Sequence, residues 1–238
     1  MNSTLGFIEQ SRLLTYCSSL ACKLNYNPLN KPTIMIPKVN YKSELKTLYK
    51  PSAKRVDSIE MPPLQYLMVD GAGEPGSESY IAAIQALFTV SYTIKFIVKR
   101  ELKLMDYGVM PLEGLWWAED MSDFITRRKD RWLWTLMIMQ PECVDRELVE
   151  TAIKRVHAKK KLPALDSLRY QSFNEGRVAQ TLHIGPFDDE GPTVERVHQF
   201  IADSDHQLCG KHHEIYLSDI RRAAPKNWKT IIRQPMCV

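Results

Sequence analysis

One order of elements recurs along the chain and limits what it can fold into: strand, helix, strand, strand, then a linking helix, then the same order again. In the first copy, Tyr66-Leu67-Met68-Val69 reads as a short apolar strand, and Asp70–Gly76 is dense in turn formers. Ser77 can cap the helix that follows, because its hydroxyl can accept from the free amides of the first turn. Ile81, Ile84, Phe88, Ser91, Ile94 and Val98 recur every three or four residues, which predicts one apolar helical face. Tyr107–Trp117 is strand-like, and its Pro111 and Gly114 predict a bulge or bend. Trp132–Met139 is apolar on both faces and rich in β-formers, so it is expected centrally in a sheet, and the polar segment Glu119–Arg131 joins the two strands as a hairpin loop.

Asp145–Lys161 is the linking helix, with Leu148, Ala152, Ile153 and Val156 inward and a basic tail suited to a helix C-terminus. Arg177–Ile184 then reads as a strand, Gly185-Pro186-Phe187 as a turn, and Pro192–Ala202 as a helix with Val194, Val197 and Ile201 inward. His212–Ser218 and Trp228–Arg233 close the chain as strands. The fold class expected is α+β: two strand-helix-strand-strand modules in a pseudo-symmetric arrangement, their sheets meeting along a seam.

At 238 residues the chain can bury a sizeable core without disulfides or metals. Its 44% hydrophobic and 25% charged residues are those of an ordinary globular protein, and the lack of a long apolar run argues against a membrane-spanning helix. The net charge of +4 is unevenly placed. Residues 1–60 hold nine Lys or Arg against four acids, a balance of +5, while residues 61–238 carry 23 against 24, or −1. A near-neutral body disfavours nucleic acid as a partner. Five scattered cysteines fit a reducing cytoplasm. Residues 1–38 are unlike the rest and are expected to form a loosely attached extension, or to precede a natural start nearer Met35; residues 39–238 form the main domain.

Four of the five tryptophans, Trp116, Trp117, Trp132 and Trp134, fall within nineteen residues. If their two strands pair as a hairpin, Trp132 and Trp134 share a face and one of Trp116 and Trp117 joins them. The result is either an aromatic core or a wall for a flat or cationic ligand. In His212–Ser218, alternation puts His212, Glu214, Tyr216 and Ser218 on one face and His213, Ile215 and Leu217 on the other. A carboxylate and a phenol then stand close enough to touch one ligand. His206, Cys209 and His212 have zinc-like spacing, but His212 and His213 point to opposite faces and no complementary pair exists, so no metal is expected. Asp70-Gly71-Ala72-Gly73 lacks the third glycine and the Lys of a phosphate loop.

The element order, together with Pro111-Leu112-Glu113-Gly114-Leu115-Trp116-Trp117, Trp132-Leu133-Trp134, His183-Ile184-Gly185-Pro186-Phe187 and His213-Glu214-Ile215-Tyr216-Leu217-Ser218-Asp219, resembles the GyrI-like small-molecule-binding domain family. Within it the chain looks most like the stand-alone branch linked to hydrolysis of cyclopropane-bearing genotoxins, over roughly Tyr41–Arg233. The resemblance implies a ligand cleft between the two modules with Glu214 at its floor, Tyr216 beside it, and Glu113 as a second acidic candidate. Trp116, Trp117, Trp132, Trp134, Glu113 and Tyr107 are the expected ligand-binding residues. A helix-turn-helix is not legible in residues 1–60.

The expected function is binding of a planar hydrophobic or cationic aromatic molecule without metal or organic cofactor. It extends to hydrolysis of a strained ring in detoxification, with Glu214 as base and Tyr216 holding the oxygen that gains charge. A non-catalytic sequestrant or sensor, or an adaptor that inhibits another protein, are the alternatives. The sequence fixes no oligomeric state.

Overall fold

Strands dense in Val, Ile, Met and aromatic residues, most of them buried on both sides, pair into one continuous antiparallel sheet. The computed structural model describes residues 35–120, 126 and 128–238, and Pro37–Val238 make one compact unit. Its main strands are β2 (Asp57–Met61), β3 (Leu64–Ala72), β5 (Leu112–Trp117), β6 (Leu133–Gln140), β7 (Arg169–Phe173), β8 (Gly176–Ile184), β10 (His212–Tyr216) and β11 (Lys229–Cys237). They lie in the order β2-β8-β11-β10-β5-β6-β3-β7, and the short β9 (Gln207–Leu208) pairs with β11. A separate parallel pair joins β1 (Lys38–Val39) to β4 (Asp106–Tyr107).

Among the described residues the α-helices are α1 (Tyr41–Glu44), α2 (Lys46–Tyr49), α3 (Glu78–Phe96), α4 (Arg146–His157) and α5 (Gly191–Ala202). One module is β3-α3-β5-β6 and the other β8-α5-β10-β11. Read inward from its outer strand, each has the same order: β3-β6-β5 and β8-β11-β10. The seam is the β5–β10 pair, hydrogen-bonded from His212↔Trp116 to Tyr216↔Leu112.

Helices α3 and α5 lie on the same sheet face. Tyr80 of α3 packs on Trp134 and Ser91 receives a hydrogen bond from Gln140, while Val197 and Ile201 of α5 pack on Ala179 and Ile232. Their main contacts are with β3 and β6 for α3, and with β8 and β11 for α5. The central pair is left as the floor of a trough between them.

Ser77 caps α3 as expected, accepting from the Tyr80 amide. Ser91, Ile94 and Val98 are buried as expected, but in the first half of the helix the buried face is rotated. Ala83, Leu87, Val90 and Ile94 face the sheet, whereas Ile81 is 47% exposed, because small Ala83 and Ala86 let the helix approach closely. Each of the large buried residues contributes about 1.5–3 kcal/mol. With the π-helical turn Ile97–Glu101 this helix is, contrary to the sequence reading, long and apolar enough by length and composition to cross a membrane; here its inner face packs on β3 and β6.

In α4 the buried residues are Val149, Ala152 and Val156, with Val149 in the place expected for Leu148. No bulge occurs in β5, whose register with β6 is unbroken from Glu113 to Trp117. The described part of the basic segment 1–60 packs on the main sheet: Asp57–Met61 is a strand on β8, and Leu48 and Tyr49 are core residues.

Candidate functional site

Strand alternation divides the residues singled out by the sequence between the two faces of the β5–β10 pair. Trp116, Glu214 and Tyr216 face the trough, and Glu113, Leu115 and His213 face away. Trp134 pairs directly with Trp116 across β5–β6 and shares its face. Trp132, just before β6, meets Trp116 edge-on at 5.8 Å.

At the trough floor, the Tyr216 Oη donates to Glu214 Oε2 at 2.8 Å and accepts from Trp116 Nε1 at 3.0 Å. His212 Nε2 lies 3.3 Å from Glu214 Oε1. Gly114 makes room for this chain, since a Cβ there would stand 2.8 Å from Trp116 Nε1 and 3.1 Å from Tyr216 Oη. Gly71 does the same for Trp134, whose ring would lie 2.2 Å from an added Cβ.

The walls are aromatic. Tyr80 of α3 stacks on Trp116 at 5.9 Å and meets Trp134 edge-on at 5.5 Å. On the α5 side, Phe187 contacts Tyr216 at 5.8 Å and Trp228 at 4.9 Å. Trp116 and Trp134 are buried, so the exposed aromatic surface comes from Tyr80, Trp132, Phe187 and Trp228.

A second carboxyl enters at the start of α5. Glu190 is 7% exposed, and its Oε1 has no hydrogen-bond partner among the described residues. Burial first, and then the charge of Glu214, push its carboxyl up to about 9. The Thr230 hydroxyl beside it eases this rise but lies outside normal hydrogen-bond geometry and has no other described partner. Burial and then Glu214 also push the Tyr80 hydroxyl up to about 12, and the same two causes raise Tyr216 well above the ordinary phenol range. At neutral pH the trough therefore presents the protonated Glu190 carboxyl and two protonated phenols beside Glu214.

On the opposite face Glu113 is fully buried. It accepts from Tyr49 Oη at 2.7 Å and lies 3.0 Å from His213 Nε2. His213 Nδ1 lies 3.0 Å from Glu175, which also pairs with Arg233 at 3.3 Å. Burial opposes the charge on His213, but Glu175 and Glu113 outweigh it and raise the imidazole; burial likewise opposes ionised Glu175, and His213 with Arg233 outweigh it and lower the carboxyl. Trp117 belongs to this side too, with Lys211 Nζ 3.1 Å from its ring centroid. Tyr107 lies in β4, outside the main sheet, against Tyr41.

The structure thus brings Glu214, Tyr216, Trp116, Trp132 and Trp134 together and separates Glu113, Trp117 and Tyr107 from them. It adds Tyr80, Glu190, Phe187 and Trp228. The sequence signal for Phe187 was its turn motif. Glu190 carried none, because an acid ahead of a helix reads as a partner for the helix dipole. No group of three or more His, Cys, Asp or Glu side chains placed to hold a metal ion occurs among the described residues.

Two strand-helix-strand-strand modules sharing a sheet, with a polar floor between helical walls, define a small-molecule-binding α+β domain. Residues 55–236 match the GyrI-like small molecule binding domain, and the chain belongs to that family. It is similar in structure to an uncharacterized conserved protein from Listeria innocua, with 37% identity, a TM-score of 0.76, and coverage of 84% of this chain and 100% of that one. It is also similar to a hydrolase from Listeria innocua, with 36% identity, a TM-score of 0.74 and the same coverage. No curated protein matches the chain.

Proposed function

We propose that the trough binds a planar hydrophobic or cationic aromatic molecule, and that it hydrolyses a strained, cyclopropane-type electrophile as a cytoplasmic detoxification step. One observation carries this reading: two carboxyls, Glu214 and Glu190, share an aromatic-walled trough, and Glu190 is buried there with an unpartnered oxygen and its carboxyl pushed well above the ordinary range. A charged acceptor beside a protonated donor suits general acid–base chemistry. Similarity to the Listeria hydrolase over that protein's whole length supports the catalytic part.

In the proposed step, Glu214 takes a proton from water as the water oxygen bonds to a ring carbon. The strained C–C bond breaks, and its electron pair passes to a conjugated carbonyl oxygen of the substrate. That oxygen takes the Glu190 proton. Tyr216, released from donating to Glu214 once Glu214 is protonated, hydrogen-bonds the same oxygen. Return of a proton from Glu214 to Glu190 resets the site, and the sum is addition of one water.

The test is a tryptophan-fluorescence screen of planar ligands, followed by mass analysis of each hit for added water. Glu214→Gln should leave affinity for a neutral cyclopropane substrate within about tenfold and cut turnover by about 10²-fold or more. Unchanged turnover removes Glu214 from the mechanism. Binding without product, for every hit, leaves a sequestrant in which Glu214 pairs with a cationic ligand.

A further inference from the structure

Glu214 is held from both sides. Tyr216 occupies Oε2 at 2.8 Å, and His212 stands 3.3 Å from Oε1. Both carboxylate oxygens are thus engaged before any ligand arrives, but the two neighbours differ in kind. Tyr216 is neutral in both arrangements, whereas an imidazole gains a positive charge between about pH 8 and pH 5.

We propose that His212 gates the trough toward cations: protonated, it occupies Glu214 and repels a cationic aromatic ligand, and neutral, it releases the carboxylate to that ligand. The proposal rests on the trough being the ligand site. His212 and Glu214 are both largely buried, with side chains 16% and 18% exposed, so their pairing is little screened by solvent.

The groups packed around the His212–Glu214 pair come from five elements. From β10 itself come Glu214 and Tyr216, and from β5 the uncharged Trp116 indole. Tyr80 of α3 and Tyr216 stay protonated, because burial and Glu214 raise both phenols. Glu190, at the start of α5, stays protonated until about pH 9, and β11 contributes the uncharged Thr230 and Gln234 side chains on this face. His198, on α5, is the other imidazole that feels His212. Burial, and then the His212 charge, lower it, against a small opposing pull from Glu195.

The experiment is calorimetric titration of the full chain with tetraphenylphosphonium, a fixed cation with no titratable group, at pH 5.5 and pH 8. Affinity should rise about tenfold with pH, the scale of an ordinary coupling between two charged sites. His212→Gln should hold the high affinity at both pH values, and His212→Lys the low affinity at both. A merely structural His212 would make the two variants weaken binding alike. Triphenylphosphine oxide, a neutral probe of similar shape, should bind independently of pH. An equal rise with pH in wild type and His212→Gln overturns the gating and leaves the trough standing. Absence of tetraphenylphosphonium binding, or binding unchanged by Glu214→Gln, overturns the trough reading and the gating together.

Discussion

The two faces of the β5–β10 pair treat their carboxylates in opposite ways, although the residues involved are sequence neighbours. On the Glu113 face, two carboxylates (Glu113, Glu175) meet two cations (His213, Arg233), all buried and mutually hydrogen-bonded. The Arg233 guanidinium also reaches Gln180 and the Leu48 carbonyl, which ties α2 to the sheet. On the Glu214 face, two carboxyls meet one imidazole, and a buried oxygen is left over. A charge-balanced, satisfied network closes a face; an unbalanced one with spare polar atoms is suited to a ligand.

The largest expected effect comes from breaking the closed side. His213→Ala removes the buried partner that Glu113 and Glu175 share and should cost about 3–5 kcal/mol in urea unfolding. A cost below about 1 kcal/mol would mean that the network does not hold that face. The pH signs follow from the directions of the shifts. His213 is raised, so its contribution is present below the ordinary imidazole value of about 6.5 and is lost as pH rises through the folded value. Glu175 is lowered, so its contribution is present above the ordinary carboxyl value of about 4.3 and is lost as pH falls through the folded value. Stability from this network should therefore peak between the two limbs, and His213→Ala should remove the alkaline one.

A smaller effect of opposite sign is expected from the open side. Glu190 holds its proton in the fold at pH values where the unfolded chain has lost it, so its contribution declines as pH rises from about 4.3 towards about 9. Glu190→Gln should raise the Tm by a few degrees at pH 8 and by much less at pH 4.5, as read by thermal melts at the two pH values. A loss of stability at pH 8 would show that Glu190 is satisfied in the fold and would remove the contrast between the faces.

Much of this arrangement was legible in the sequence. Period-2 alternation places Glu214 with Tyr216 and His212 and sets His213 apart, and of Trp116 and Trp117, between which the hairpin pattern leaves the choice open, it is Trp116 that joins Trp134. The same alternation, applied to β5, separates Glu113 from Trp116; the family motif drew them together because it reads as one string. Gly114, which locally predicts a bend, sits in a regular strand where neighbouring side chains need the space, a tertiary cause invisible locally. The edge strands β2 and β7 were not foreseen, since Pro62 and Pro63 and the polar Arg169–Phe173 mask their strand character. The inward face of α3 and its π-helical turn is as expected at Ser91, Ile94 and Val98, but in the first half of the helix alanines carry that face, and a pattern of large residues points elsewhere.

The central claim is that ligands enter on the Glu214 face. The most direct measurement is a crystal structure of the complex with tetraphenylphosphonium. The cation should lie between Tyr80 and Phe187, its phosphorus within about 6 Å of an aromatic centroid and facing the Glu214 carboxylate. A cation lodged on the Glu113 face, or on the outer surface of α3 with the trough vacant, would contradict it.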